Sequence, residues 1–225
     1  MIFDFIKGEL LLIDKPLDWT SFDAVNKIRH NLEKKLNVKL KVGHAGTLDP
    51  KATGLLLICT GGMTKQIVNL TGLDKEYTGT FHIGATTPCF DTEKEIDHTF
   101  PTGHITEEMI RNASQKFTGT IQQIPPTFSA KLIDGKRAYL SARKNREIKM
   151  EPVTVTISEF EITRIALPEV DFRVVCSKGT YIRALARDFG IALNSGAYLT
   201  ALRRTRIGEY RIEDALSIEQ FLTIC

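Results

Sequence analysis

"VTVTISEFEITRIALPEVDFRVVC", Val153 to Cys176, holds two β segments in direct succession. Val153 to Leu167 alternates apolar and polar residues, and Val170 to Cys176 repeats the pattern with Val170, Phe172, Val174 and Cys176 facing one way. A period of two lines one face of a strand with such residues. Strand follows strand here, which breaks the regular βαβ alternation of a parallel sheet.

The segments on either side keep that irregular order. Downstream, Thr180 is placed to cap a helix through Leu193, "ALRRTRIGEYRI" reads as a basic strand, and a short helix closes the chain. Upstream, "KEYTGTFHIGAT" sets Tyr77, Gly79, Phe81 and Ile83 against Thr78, Thr80 and His82, a half-buried strand. "ELLLI" reads as a buried strand. Ser21 then caps a helix carrying Phe22, Val25, Ile28 and Leu32, "LLLIC" is a second buried strand, and "MTKQIVNL" is a short helix. "DTEKEIDHTFPTGH" is a polar surface loop, and Thr106 begins a helix through Phe117. "QQIPPTFSAKLIDGKRAYLSARKN" gives a proline bend, a strand, an Asp134-Gly135 turn and another helix. No repeat or linker divides the sequence, which reads as one α+β domain with a mixed, largely antiparallel sheet.

The 225 residues suffice for a continuous core, and a formal charge of +3 is too small to declare a nucleic-acid protein. Cys59, Cys89, Cys176 and Cys225 are widely spaced, with no C-x-x-C pair, and indicate reduced thiols rather than a zinc site or a disulfide framework. The N-terminus is interrupted by Asp4, Lys7 and Glu9, and no run approaches a membrane span. A soluble, cytoplasmic protein is expected.

Between the first helix and "LLLIC" lies the loop "KVGHAGTLDPKATG", Lys41 to Gly54. It contains no G-x-x-x-x-G-K-[ST] and no G-x-G-x-x-G, and the sequence has no H-E-x-x-H or G-x-S-x-G, so nucleotide, metal and serine-hydrolase readings lack support. One carboxylate remains. Asp-Pro is a common turn signal, so Asp49 reads locally as a turn former, while Gly43, Gly46 and Gly54 permit another chain to approach closely. By the same local standard His44 is a loop imidazole, Tyr77 a core aromatic and Arg183 a solvated charge. Basic clusters at Lys34 to Lys41, Lys136 to Lys149 and Arg203 to Arg211 together suit a polyanion, because Lys and Arg contacts to phosphate dominate nucleic-acid affinity. An RNA-acting enzyme with one catalytic acid fits these features.

Five blocks carry a resemblance. "LLIDKPLDWTSFDAV", "KVGHAGTLDPKATGLL", "DKEYTGTFHIGATT", "PPTFSAKLIDGKRAY" and "CSKGTYIRALARDFG", followed by "LRRTRIG", resemble in order the TruB family of bacterial tRNA pseudouridine synthases, over essentially the whole chain. The resemblance implies the pseudouridine synthase fold, with a central sheet flanked by helices and the active site in a cleft, and an isomerase acting on the uridine at position 55 of the tRNA T loop. It implies that Asp49 is the essential aspartate and Arg183 its partner. His44 matches a histidine near the flipped nucleotide, Tyr77 the aromatic that stacks on the target base, Tyr181 a substrate contact and Leu202 an apolar wall. Lys15 and Pro16 match an opening motif of structural character. An aromatic that replaces the lost stacking of an extruded base contributes about 1–3 kcal/mol, and an isomerisation calls for no cofactor. The expected partner is the T stem-loop of tRNA, with no membrane, no obligatory protein partner and a monomeric state.

Two departures accompany the resemblance. Longer members append a C-terminal PUA domain that has no counterpart after "LSIEQFLTIC", so residues 1–225 are expected to form one catalytic domain. A glycine often found after "KP" is Asp18 here. Two other functions stand as alternatives: a tRNA-binding folding chaperone with secondary catalysis, which needs the basic surface and Tyr77 but not Asp49, and a synthase that depends on a guide RNA.

Overall fold

The computed structural model describes residues 3–126, 132–133, 136–137 and 150–224. Its strands are β1 Leu10–Lys15, β2 Val42–Ala45, β3 Thr53–Thr60, β4 Lys75–Ile83, β5 Ala85–Thr86, β6 His98–Thr99, β7 Gly119–Gln123, β8 Leu132–Ile133, β9 Lys136–Arg137, β10 Val153–Ala166, β11 Glu169–Cys176, β12 Ala197–Ile207, β13 Tyr210–Arg211 and β14 Leu216–Ser217. The chain forms two compact units, one of residues 1–78 and 202–225 and the other of residues 79–201. β4 and β12 run from one into the other.

In the first unit "LLLIC" lacks alternation because β3 is covered on both faces. Leu56 and Ile58 pack with Leu11, Ile13, Phe221 and the apolar side of the Ser21–Leu36 helix, where Ala24, Val25, Ile28 and Leu32 recur every three to four residues. Leu55, Leu57 and Cys59 face the other way, against Ala45, Leu70 and Ile207. Strand order in this unit is β14-β1-β3-β12-β4, with β2 pairing the far part of β3 and β13 pairing β12. β1 and β2 run antiparallel to β3, whereas β12 joins β3, and β14 joins β1, in parallel.

The helix begins one residue earlier in its capping than expected. Thr20 is the N-cap, accepting from Asp23 N at 3.0 Å, while Asp23 Oδ2 accepts from Thr20 N at 2.8 Å, a reciprocal capping box. Ser21 is therefore not the cap. Asn37 ends the helix in the left-handed region.

In the second unit the order is β12-β4-β11-β10-β7. β10 pairs antiparallel with both β7 and β11, and only a short turn separates it from β11. The four residues read onto one side of β11 are buried: Val170, Phe172, Val174 and Cys176. Phe172 stacks on Phe81 with ring centroids 4.2 Å apart, and Phe160 and Phe189 complete an aromatic core. Phe189 comes from the Ile182–Ala192 helix. That helix is capped by Tyr181 with no side-chain cap bond, and Thr180 Oγ1 donates instead to Ser177 O. The Glu107–Lys116 helix starts at Thr106 as expected. Part of the polar loop forms the β5-β6 hairpin. The sheet is mixed and largely antiparallel, flanked by helices, in agreement with the α+β reading. The Asp134-Gly135 turn, the helix expected after it and the basic side chains of residues 136–149 lie outside the described residues. Among the described residues no helix is long and apolar enough to cross a membrane.

Candidate active site

Asp49 is a turn former, and it is partly exposed. Ala52 N donates to Asp49 O at 3.1 Å, closing a four-residue turn with Asp at its first position and Pro at its second, the places where each is favoured. The turn joins β2 to β3. His44 lies in β2 opposite Ile58 of β3, so it belongs to a strand rather than to the expected loop. The pairing β2 makes with β3 limits the loop to residues 46–52.

The Asp18 departure is accounted for here. Asp18 has φ 63°, a left-handed conformation that Gly enters freely and Asp tolerates better than most residues. In that conformation Asp18 N donates to Pro50 O at 2.9 Å, and Asp18 Oδ1 accepts from Lys51 Nζ at 2.8 Å. Both side chains are well exposed to water, so the ion pair adds little stability. Its effect is to tie the "KPLD" segment to the Asp49 turn.

Two buried cations stand beside the turn. Lys15 ends β1 opposite Gly54 and is 0% exposed, with Nζ donating to Pro16 O at 2.8 Å and Trp19 O at 2.6 Å. Burial pulls its ammonium down to about 8, against the opposing pull of the Asp49 and Asp18 carboxylates. Arg204, 1% exposed, lies opposite Gly54 on the other side of β3. Gly54 is required there: its φ is +105°, and a Cβ would sit 2.3 Å from Arg204 O.

Arg203 opposite Thr53 sets Leu202 at the level of Ala52, next to the turn. Tyr77 is 9% exposed on β4, whose neighbouring residue Glu76 accepts from Thr205 Oγ1 at 2.8 Å. The first unit thus brings His44, Asp49, Tyr77 and Leu202 onto adjoining strands and the turn between two of them. Tyr181 and Arg183 belong to the second unit.

There Tyr181 is held by its backbone. The fully buried Gln123 accepts from Tyr181 N at 2.8 Å and donates to Tyr181 O at 3.1 Å. Arg183 is not a solvated charge. It is 6% exposed, with Nη1 donating to Cys89 O at 3.2 Å and Nε 3.6 Å from Asp91 Oδ2. A paired, hydrogen-bonded guanidinium is the form in which a buried Arg is tolerated.

The basic clusters divide. Lys34, Lys35, Lys39 and Lys41 are exposed. Arg203 instead makes a bidentate pair with Asp14, at 2.7 and 3.1 Å, Arg204 is internal, and Arg206 Nη2 lies 3.6 Å from Glu76 Oε2. Within "RRTR" only Arg204 is internal, while Arg203 and Arg206 are partly exposed and paired with carboxylates. Composition could not separate these cases, because partners such as Asp14 and Glu76 lie more than a hundred residues away in the chain.

A sequence model described as TruB family pseudouridylate synthase (N terminal domain) matches residues 33–182, more than half of the chain. The chain belongs to the TruB family of pseudouridylate synthases. A TruB relative from Flavobacterium johnsoniae, named tRNA pseudouridine synthase B, is 60% identical over 97% of this chain and 96% of its own length. One of the same name from Chlorobium luteolum is 53% identical over 94% of this chain and 73% of its own. Among solved structures, a chain of a Cbf5-Nop10-Gar1 complex superposes with a TM-score of 0.71 at 28% identity, over 97% of this chain and 54% of that one. A chain in an H/ACA RNP bound to a substrate RNA containing 2'-deoxyuridine gives 0.70 at 28% identity, with the same coverage. The TruB chain therefore spans about half the length of these solved chains and nearly all of its Flavobacterium relative.

Sequence reading by itself passed over Arg204, Gln123 and Asp91, and assigned Ser21 to capping. Each acts on a residue far away in the chain. The one local signal was the "WTSFD" stretch, where two hydroxyl residues compete for a single cap position.

Proposed function

We propose that this protein converts uridine to pseudouridine at position 55 in the T loop of tRNA. The observation that carries the proposal is Asp49, the carboxylate of the TruB motif, at the head of a turn whose backbone is held on both sides by buried groups. The names of the 60% and 53% identical relatives support tRNA as the substrate.

The target base leaves the stack and Tyr77 offers it a replacement face. The N1–C1′ bond breaks, the uracil turns, and a C5–C1′ bond forms. C5 loses a proton and N1 gains one, so no atom or electron is lost overall. Asp49 and Arg183 are assigned the catalytic roles, and His44, Tyr77, Tyr181 and Leu202 the contacts with substrate. Residues 1–225 act as one catalytic domain, monomeric, in the cytoplasm and without a guide RNA or protein partner.

The test is incubation of the purified chain alone with unmodified tRNA, followed by mapping of pseudouridine. Product at the T loop is expected from the wild type, and none from Asp49→Asn, which still folds and binds tRNA. Product elsewhere, or near-normal turnover by Asp49→Asn, refutes the proposal.

A further inference from the structure

Five consecutive carbonyls around Asp49 each have a donor, and two of the donors are buried side chains from distant parts of the chain. Arg204 Nη2 donates to Gly46 O at 3.1 Å, Nη1 to Thr47 O at 3.5 Å and Nε to Leu55 O at 2.7 Å. Ser21 Oγ donates to Leu48 O at 3.1 Å and accepts from Leu48 N at 2.8 Å. Asp49 O and Pro50 O are taken by the amides of Ala52 and Asp18. Ser21 is available for this because Thr20 and Asp23 already complete the capping box, so the first helical residue keeps its hydroxyl for another element. Ser21 and Leu48 are each 2% exposed and Arg204 1%, so the Ser21–Leu48 pair and the Arg204 bond to Leu55 O are sheltered from water, while the bonds to Gly46 O and Thr47 O are partly buried.

We propose that Ser21 and Arg204 are positioning residues for Asp49, fixing the peptides that precede it so that its carboxylate meets the substrate without further ordering. The proposal rests on the reading of Asp49 as the catalytic carboxylate. Connecting loops are the mobile parts of a fold, and a catalytic group must be held to about half an ångström. Arg suits the task because its planar fork spans several acceptors, whereas a lysine ammonium is a single point on a flexible stem. Ser suits the other end because one hydroxyl both donates and accepts, and so closes on both polar groups of Leu48. Both side chains are committed to backbone, which assigns them to geometry rather than to substrate contact.

The test measures steady-state kinetics of Ser21→Ala, Ser21→Thr and Arg204→Lys on unmodified tRNA, with melting temperature and tRNA affinity in parallel. Displacing a reacting group by about 1 Å costs on the order of 100-fold in rate. Ser21→Ala and Arg204→Lys are therefore expected to lose about 10- to 100-fold in kcat, with KM and tRNA affinity nearly unchanged and Ser21→Thr recovering most of the rate. A Ser21→Ala protein with a lowered melting temperature but wild-type kcat overturns the proposal. If Arg204→Lys does not fold, Ser21→Ala decides alone. Asp49→Asn measured alongside separates the two claims. Near-normal turnover there defeats the reading of Asp49, whereas an inactive Asp49→Asn with a fully active Ser21→Ala defeats the clamp only.

Discussion

Gly54→Ala offers a demanding check on how β3 meets β12. The new Cβ would lie 2.3 Å from Arg204 O and 2.8 Å from Arg204 N, both backbone atoms that no rotamer change can move. Relief requires β12 to withdraw by about 1 Å, the difference between that contact and ordinary van der Waals separation near 3.4 Å. Such a shift breaks the parallel pairing of Arg203 with Thr53 and Arg204 with Gly54. Buried groups left unsatisfied cost about 1–3 kcal/mol each. The backbone at φ +105° adds strain of about 1–2 kcal/mol for any residue with a side chain. A loss of about 3–5 kcal/mol is expected, set against a total stability of about 5–15 kcal/mol for a domain. Urea unfolding followed by circular dichroism measures it. Gly72→Ala is the control, since nothing lies within 4 Å of a Cβ there, and its effect should stay within about 1 kcal/mol. A Gly54→Ala protein within about 1 kcal/mol of wild type would show that the β3-β12 contact is not as tight as described.

Two further expectations concern charge and capping. Burial lowers Lys15 to about 8 from an ordinary 10.5, so between those values the unfolded chain holds a proton that the folded chain lacks, and stability rises with pH across that window. Unfolding free energies measured from pH 7.5 to 10.5 should show this rise in wild type and its loss in Lys15→Met; parallel curves would contradict it. Thr20→Ala removes the capping box at a cost of about 1 kcal/mol near neutrality. Hydrogen bonds from Thr20 hold the Asp23 carboxyl below its usual range, so their contribution is present above the unfolded value of 3.8 and is lost as pH falls through the lowered one. Thermal melts at neutral and strongly acid pH should therefore show the wild-type and Thr20→Ala proteins converging in acid.

Much of this protein could be read from patterns that involve only neighbouring residues. The alternation at Val170, Phe172, Val174 and Cys176, the three-to-four spacing of Val25, Ile28 and Leu32, and the Asp-Pro turn at Asp49 are consequences of local geometry. The linear order of the TruB blocks likewise needed nothing beyond the sequence. What the tertiary structure decided were the partnerships. Ser21 reads as a cap until Thr20 takes that place and Leu48, 27 residues on, is found against its hydroxyl. Arg203 and Arg204 read alike as surface charge until β12 joins β3 in parallel, pairing the partly exposed Arg203 with Asp14 and burying Arg204 against the carbonyls of Gly46, Thr47 and Leu55. Arg183 reads as solvated until the fold buries it with Asp91. A polar side chain carries no mark of whether it will meet water or a distant backbone carbonyl. That depends on strand pairing between residues far apart in the chain, so the Asp49 turn was visible in the sequence and the groups that hold it were not.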